Sequence, residues 1–371
     1  MSQLIQPIPQ FARKLSKDSS LKFAPIIIAG PCSVESREQI LSTAESLSKI
    51  EGVDVLRAGI WKPRTHPGSF EGIGEKGLSW LREAGDLSGL PIATEVATEA
   101  HVKEALEAGV DMLWIGARTS VNPFAVQEIA NTIAALSPDT PVLVKNPVNP
   151  DLELWIGAIQ RLLQAGVTRV GAIHRGFSAY NSAPFRNLPM WQLPMELHRR
   201  MSDLPIIHDP SHTGGSRELL ATLSQQALDL GFNGLMIETH PSPDNALSDG
   251  GQQITPDELN NLLREIVVKT AGRGEAGSEL EIFRKGIDEC DGRLLELLSE
   301  RMKLSEEIGE YKAEHNMKVL QPQRYERLLS ALVEKGEALG LDSKFIERLL
   351  KLIHEESVRL QLEISKLRKD L

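Results

Sequence analysis

Pro205-Ile206-Ile207-His208-Asp209-Pro210-Ser211-His212-Thr213-Gly214-Gly215 is the stretch that decides the fold. Leu204 to Ile207 is an apolar run of strand length. It ends abruptly in His208, Asp209 and His212, and two glycines then lead into a helical pattern from Ser216. A buried strand with two imidazoles and a carboxylate just past its C-terminal end has the makings of a site. A plain strand-to-helix turn would use the same residues, with Asp209 and Ser211 as caps and His212 merely exposed. The other strand candidates decide between these readings, because they end in the same way.

From Phe23 onward a short β-branched run, a polar Gly-bearing turn and an amphipathic helix alternate. The expected strands are Pro25–Ala29, Val53–Arg57, Pro91–Glu95, Met112–Gly116, Pro141–Lys145, Arg169–His174, Pro205–His208 and Gly234–Thr239. Helical patterns between them include Ser36–Ile50, Glu99–Ala108, Val126–Ala135, Glu153–Gln164, Glu218–Leu230 and Asp257–Lys269. Eight alternations in roughly 250 residues, with near-continuous apolar strands, predict a closed (β/α)8 barrel over residues 23–270. An open doubly wound sheet is the alternative. It would carry a Gly-x-Gly-x-x-Gly turn after the first strand, where this chain has Gly30-Pro31-Cys32.

Residues 1–22 read as a polar tail, and the Gly-rich segment 271–277 as a linker. Residues 278–371 are nearly free of Gly and Pro, and the strand pattern stops there. Leu280, Phe283, Ile287, Leu294, Leu297, Leu298, Met302, Ile308 and Tyr311 follow helical spacing. Pro322 and then Gly340 with Asp342-Ser343 divide this region into three helices, an all-α domain. The first helix is too long to hide its apolar stripe inside one small bundle, so a second copy of the chain is expected against it.

A hydrophobic fraction of 41% and a charged fraction of 25% are those of an ordinary globular protein. A net charge of −10 argues against nucleic acid as a partner. Without an apolar run of membrane length or a signal-peptide core, a cytoplasmic protein is expected that contacts no membrane. Cys32 and Cys290 are distant in sequence, so no disulfide framework is implied.

In a (β/α)8 barrel the C-terminal strand ends hold the active site. Those ends carry Cys32; Arg57, Lys62, Arg64 and Thr65; Glu95; Arg118; Lys145; His174 and Arg175; His208, Asp209 and His212; and Glu238, His240 and Asp249. Scattered surface charge would not keep this register. Cys32, His212, Glu238 and Asp249 form a thiolate, imidazole and carboxylate set suited to one divalent metal ion, with manganese, iron, cobalt and zinc all admissible. A helix start close to Cys32 is expected to favour its thiolate. Arg57, Lys62, Arg64, Arg118, Lys145 and Arg175 would repel one another unless anions fill the mouth, and forked arginines favour phosphate and carboxylate.

Gly30-Pro31-Cys32-Ser33-Val34-Glu35, Arg57-Ala58-Gly59, Lys62-Pro63-Arg64-Thr65, Gly116-Ala117-Arg118, Asp209-Pro210-Ser211-His212 and Leu247-Ser248-Asp249-Gly250 resemble the 3-deoxy-D-arabino-heptulosonate 7-phosphate (DAHP) synthases over about residues 24–270. The resemblance implies condensation of phosphoenolpyruvate with erythrose 4-phosphate. It also implies that Cys32, His212, Glu238 and Asp249 hold the metal, and that Arg118, Lys145 and Arg175 grip the phosphoenolpyruvate phosphate. Arg57 and Lys62 fall at its carboxylate end, and Arg64 and Thr65 on the aldose phosphate. Ala117 and Asp209 lie in the matching motifs and join the substrate-binding set. The related octulosonate synthases, which take arabinose 5-phosphate, have Lys-Ala-Asn-Arg where this chain has Lys62-Pro63-Arg64-Thr65, which favours erythrose 4-phosphate. Glu95 is the candidate for steering the water, with an ion pair to Lys62 or Arg118 as its alternative role. Lys62 is the candidate proton donor to the new hydroxyl.

Periodicity alone makes residues 278–371 a dimerisation module, but cations stand where a coiled seam would want leucine. Arg301 and Lys312 lie within ~20° on one helix face, and Arg284 points ~100° away. Ser357 and Gln361, spaced i, i+4, share a face. The region resembles the all-helical chorismate mutases. The resemblance implies that Arg284, Arg301, Lys312, Arg324, Ser357 and Gln361 surround a dicarboxylate, with Arg284 reaching into a partner subunit. Lys312 and Gln361 then serve as donors at the breaking ether oxygen, and the pair chorismate/prephenate as ligands. Some relatives have carboxylates at the positions of Gln321 and Tyr325. A non-catalytic ligand-sensing dimerisation domain is the alternative. Chorismate or prephenate bound there is expected to lower synthase activity, the linker allowing the domain to shift on the barrel, in a homodimer or larger assembly.

Overall fold

The structure, a computed structural model, describes residues 25–62, 68, 70–269 and 279–367. The tail 1–22, the linker 271–277, Arg64 and Thr65 fall outside the described residues. The chain divides into two compact units, Met1–Ala271 and Gly272–Leu371.

Eight parallel strands close a barrel in sequence order: β1 (Ile26–Gly30), β2 (Val55–Arg57), β3 (Ile92–Val96), β4 (Met112–Ile115), β5 (Val142–Lys145), β6 (Val170–His174), β7 (Ile206–His208) and β8 (Gly234–Glu238). Gly30 of β1 pairs with Glu238 of β8 and shuts the ring. The intervening helices are α1 (Arg37–Leu47), α2 (Lys76–Ser88), α3 (Glu99–Glu107), α4 (Pro123–Leu136), α5 (Leu152–Ala165), α6 (Gln192–Arg200), α7 (Pro210–Gly214), α8 (Leu220–Asp229) and α9 (Pro256–Glu265). Several begin on caps legible in the sequence. Thr98, Asn122 and Asp151 each accept from the first turn, and Thr255 with Glu258 forms a reciprocal capping box. Such caps contribute about 0.5–2 kcal/mol each.

Because successive strand side chains alternate, each strand feeds two cores. Ile27, Ala29, Leu56, Ile92, Leu113, Val144, Ala172 and Ile206 pack outward against the helices. Ile28, Val55, Ala93, Trp114, Leu143, Ile173, Ile207 and Met236 form a separate cluster of strand residues only, the plug inside the barrel. One step further along each strand, two residues on, stand Gly30, Arg57, Glu95, Gly116, Lys145, Arg175, Asp209 and Glu238. The barrel interior is thus capped by a layer of three cations, three carboxylates and two glycines. This alternation corrects the sidedness expected for His174 and His208. Both point away from the mouth, fully buried among Trp155, Phe177, Trp191 and Phe232.

In the second unit α10 (Glu279–Glu314), α11 (Pro322–Ala338) and α12 (Ser343–Leu367) are all amphipathic. Gly309 lets α10 approach α12, since a Cβ there would sit 3.1 Å from Gln361 Cα. Leu280, Phe283, Ile287, Leu294, Leu295 and Leu297 on the first half of α10 stay exposed within this chain. Among the described residues no helix is long and apolar enough to cross a membrane.

Candidate active sites

Arg57 is the centre of the charged layer. Its side chain is 1% exposed, its Nη2 lies 3.2 Å from Glu238 Oε1, and its guanidinium carbon sits 4.9 Å from the Trp114 ring centroid. Its Nε and Nη1 are buried without a hydrogen-bond partner among the described residues. Two orphaned donors on a buried cation each cost on the order of 1–3 kcal/mol unless an anion supplies acceptors. Lys145 Nζ donates to Asp209 Oδ2 at 3.0 Å and also lies over Trp114. Arg175 donates to Asn187 Oδ1 at 3.0 Å. Burial, with Arg186 and Arg118 nearby, lowers its pKa to about 10 although Asp209 and Glu95 oppose the shift.

Three carboxylates are interleaved in the same layer with three of the expected cations, Arg57, Lys145 and Arg175. Glu95 Oε2 accepts from Trp114 Nε1 at 2.8 Å. Gly116 makes room for it, since a Cβ there would fall 2.2 Å from Glu95 Oε1. The neighbouring Arg118 is exposed and Ala117 half-buried, on the loop after β4.

Glu238 of this layer and the other three metal-type residues fall into two close pairs. Cys32 Sγ is 3.3 Å from Asp249 Oδ2, and His212 Nε2 is 3.7 Å from Glu238 Oε1. Two ligands bound at 2.0–2.3 Å on a tetrahedral ion stand about 3.3–3.8 Å apart, so both spacings suit a shared cation. Among the described residues Glu238 Oε1 has no hydrogen bond, and its other oxygen accepts from Gln252. Burial pushes His212 below the usual histidine range, leaving a neutral imidazole, the form that ligates. Among the described residues no three His, Cys, Asp or Glu side chains close into a cage. Lys62 Nζ lies 2.9 Å from both the Cys32 sulfur and its carbonyl oxygen. The donor set therefore fits a divalent ion in chemistry and in those two spacings.

One expectation about Cys32 is overturned. Helix α1 starts at Arg37 behind a Ser36 cap, too far on to stabilise a thiolate at Cys32. Burial, then the Glu238 charge, push the thiol up to about 12. Deprotonation at neutral pH therefore requires a cation that competes for the sulfur.

Asp209 serves both halves of the site. Its Oδ1 caps α7 by accepting from the His212 amide, and its Oδ2 lies 2.8 Å from His212 Nδ1 as well as 3.0 Å from Lys145. The five-residue helix α7 is absent from the sequence reading, which began the helix at Ser216. Arg186 is a second omission. It lies in the long segment after β6 and reaches Asp249 Oδ1 at 3.1 Å and Gln252 Oε1 at 2.6 Å. No local spacing marks it, because its partners are more than sixty residues away. Trp114 was read only as strand, although its inward position two residues before Gly116 carries a signal.

The second unit gathers another cluster. Arg301 on α10 donates to Ser357 Oγ on α12, and Lys312 Nζ donates to Gln361 Oε1 at 2.9 Å and to Val319 O at 2.6 Å. Ser357 and Gln361 are buried. Arg324, exposed on α11, is close enough to add to the lowering of the Lys312 pKa that burial begins. Arg284 is exposed, away from this group.

A closed parallel barrel with a layer of charged side chains at its C-terminal strand ends has the architecture of a (β/α)8 enzyme. Residues 22–272 match the DAHP synthetase I family, and residues 283–362 match chorismate mutase type II. Phospho-2-dehydro-3-deoxyheptonate aldolase from Thermotoga maritima is 40% identical over 240 residues, covering 65% of this chain and 68% of that protein. A 2-dehydro-3-deoxyphosphooctonate aldolase from Desulfotalea psychrophila is 32% identical over 265 residues, covering 65% and 88%. A crystal structure of the Thermotoga maritima DAHP synthase superposes with a TM-score of 0.59 at 38% identity, over 65% of this chain and 67% of that one. The chain belongs to the DAHP synthetase I family. With the chorismate mutase type II domain at its C-terminal end it is a bifunctional enzyme of the aromatic pathway, a transferase and an isomerase in one polypeptide.

Proposed function

We propose that the barrel condenses phosphoenolpyruvate with erythrose 4-phosphate to give DAHP and inorganic phosphate, with one divalent metal ion held by Cys32, His212, Glu238 and Asp249. The observation that carries this reading is the buried Arg57, whose Nε and Nη1 lack hydrogen-bond partners among the described residues. Arg57 and Lys62 hold the carboxylate of phosphoenolpyruvate, and Lys145, Arg175 and Arg118 its phosphate. Arg64 and Thr65 take the phosphate of the aldose, and Ala117 and Asp209 complete the binding set. So held, the enol carbon C3 lies against the aldehyde carbon, which saves the entropy of bringing the two together. The metal, when bound, supplies Lewis acidity at the aldehyde oxygen. A carbon–carbon bond forms from C3, and Lys62 delivers a proton to the new hydroxyl. Glu95, oriented by Trp114, directs water to C2, and the resulting hemiketal phosphate expels phosphate. Phosphate release that requires both substrates, and that stops on metal removal and returns on metal addition, tests the reading. Release with arabinose 5-phosphate instead of erythrose 4-phosphate contradicts it.

The helical domain converts chorismate to prephenate. Arg301 and Arg324 bind the two carboxylates, Ser357 orders Arg301, and Lys312 with Gln361 donates to the breaking ether oxygen. No acid or base is needed, only a held conformer and charge stabilisation of the transition state. The exposed apolar half of α10 supports pairing with a second copy, which brings Arg284 to the partner's site. Prephenate or chorismate bound here lowers synthase activity, a coupling of ~1–3 kcal/mol sufficing for a 5- to 150-fold effect. Inhibition by prephenate that survives in Arg301→Ala would place the effector elsewhere.

A further inference from the structure

Tyr325 on α11 and His354 on α12 stack face to face beside the mutase cluster, their ring centroids 3.9 Å apart and their planes 19° from parallel. His354, Ser357 and Gln361 follow an i, i+3, i+7 spacing, so the imidazole shares the helix face that carries two residues of the cluster. Tyr325 directly follows Arg324. The ring is near enough to Arg301 and Lys312 that both add to the lowering of its pKa that burial begins, so the imidazole is neutral. Its Nε2 is buried and has no hydrogen-bond partner among the described residues.

Given the mutase reading above, the polar groups of chorismate can be matched one by one. Its two carboxylates pair with cations, and its ether oxygen with Lys312 and Gln361. The ring hydroxyl remains. A neutral imidazole nitrogen can serve that hydroxyl as donor or acceptor. We propose that His354, braced by its stack on Tyr325, is a further substrate-binding residue of this site, its Nε2 hydrogen-bonding the ring hydroxyl of the substrate. Gln321 and Tyr325, where some relatives have carboxylates, then leave no gap in recognition, because the contact comes from α12. The stack fixes the ring and so lowers the entropy lost when the bond forms.

The test uses the full chain and the variant His354→Phe, which keeps an aromatic ring on Tyr325 and removes the nitrogen. The expected result is a KM for chorismate about five- to tenfold higher, the scale of one neutral hydrogen bond. The inhibition constant of the chorismate analogue with hydrogen in place of the ring hydroxyl should stay within twofold of the wild type. His354→Gln, which keeps a neutral hydrogen-bonding group, should recover most of the loss. The proposal is overturned if His354→Phe leaves KM for chorismate unchanged, or if it weakens chorismate and the deoxy analogue equally. Should His354→Phe lose helicity, the same comparison on His354→Gln against Tyr325→Leu decides. Tyr325→Leu is then expected to raise KM for chorismate and to spare the analogue, and equal effects on both overturn the idea. A wild-type chain that does not convert chorismate would instead remove the mutase reading itself.

Discussion

His174 Nδ1 and His208 Nδ1 face each other at 3.1 Å inside the barrel wall, one strand apart and in register. The Pro189 carbonyl, 2.7 Å from His174 Nε2, can only accept, so that nitrogen carries the proton. His174 Nδ1 then accepts from His208 Nδ1–H, and His208 Nε2 is buried without a hydrogen-bond partner among the described residues. One backbone carbonyl thus sets both tautomers of the neutral rings.

Acid should therefore loosen the barrel in a defined window. Burial lowers both histidines, His208 to about 4. The unfolded chain binds protons on them below its ordinary value near 6.5 while the folded chain does not, so their contribution is complete above that pH. It is lost as the pH falls toward 4. Replacing His208 by Phe should cost about 1–3 kcal/mol at pH 7.5 by stranding His174 Nδ1. It should also flatten the decline between pH 6.5 and 5 in urea melts. A variant whose stability falls as steeply as that of the wild type would refute the assignment.

Asp209→Asn breaks a buried ion pair while keeping the cap on α7, since asparagine caps a helix as well as aspartate does. A loss of about 3–5 kcal/mol is expected, the cost of leaving Lys145 buried and uncompensated. Because Asp209 also orients His212, divalent metal affinity should drop about 10- to 100-fold in titration calorimetry. Unchanged affinity would separate Asp209 from the metal corner.

Cys32→Ala should abolish synthase turnover and divalent metal binding while chorismate conversion continues at the wild-type rate. Both assays run on the same folded sample, so loss of the two together would contradict the picture of two separate catalytic sites.

Arg301→Ala should do the reverse. Removing a charge-assisted contact to a carboxylate costs several kcal/mol at a site whose catalysis is electrostatic, and mutase turnover should fall by at least about 100-fold. Synthase activity without effector should stay unchanged, and normal prephenate formation would show that the second site has been misplaced.

The barrel was legible because its strands are short apolar runs of parallel type, each closed by a polar turn. Strand limits moved by one or two residues, since pairing and not composition ends a strand: Asp54 accepts from the Ile27 amide before β2 begins. The rim was legible as a list but not in its sidedness. Counting in twos from Ile207 to Asp209 and from Ile173 to Arg175 would have placed His208 and His174 outside. Arg186 and the Tyr325–His354 stack were beyond reach, because both depend on long-range packing that spacing does not encode. In the helical domain one face per helix was enough to bring Arg301, Lys312, Ser357 and Gln361 together.

Trp114 lies under Arg57 and Lys145 and hydrogen-bonds Glu95, so it stands among groups proposed to bind substrate. An indole in that position is an intrinsic optical probe, since anions that reorient the two cations change the field at its excited state. Every tryptophan of the chain, from Trp61 to Trp191, precedes residue 192, and the helical domain has none. Excitation selective for tryptophan is therefore blind to that domain's own unfolding, while tyrosine absorbance and helical circular dichroism are not. The two catalytic units can be watched separately in one cuvette, without a label and without cutting the chain.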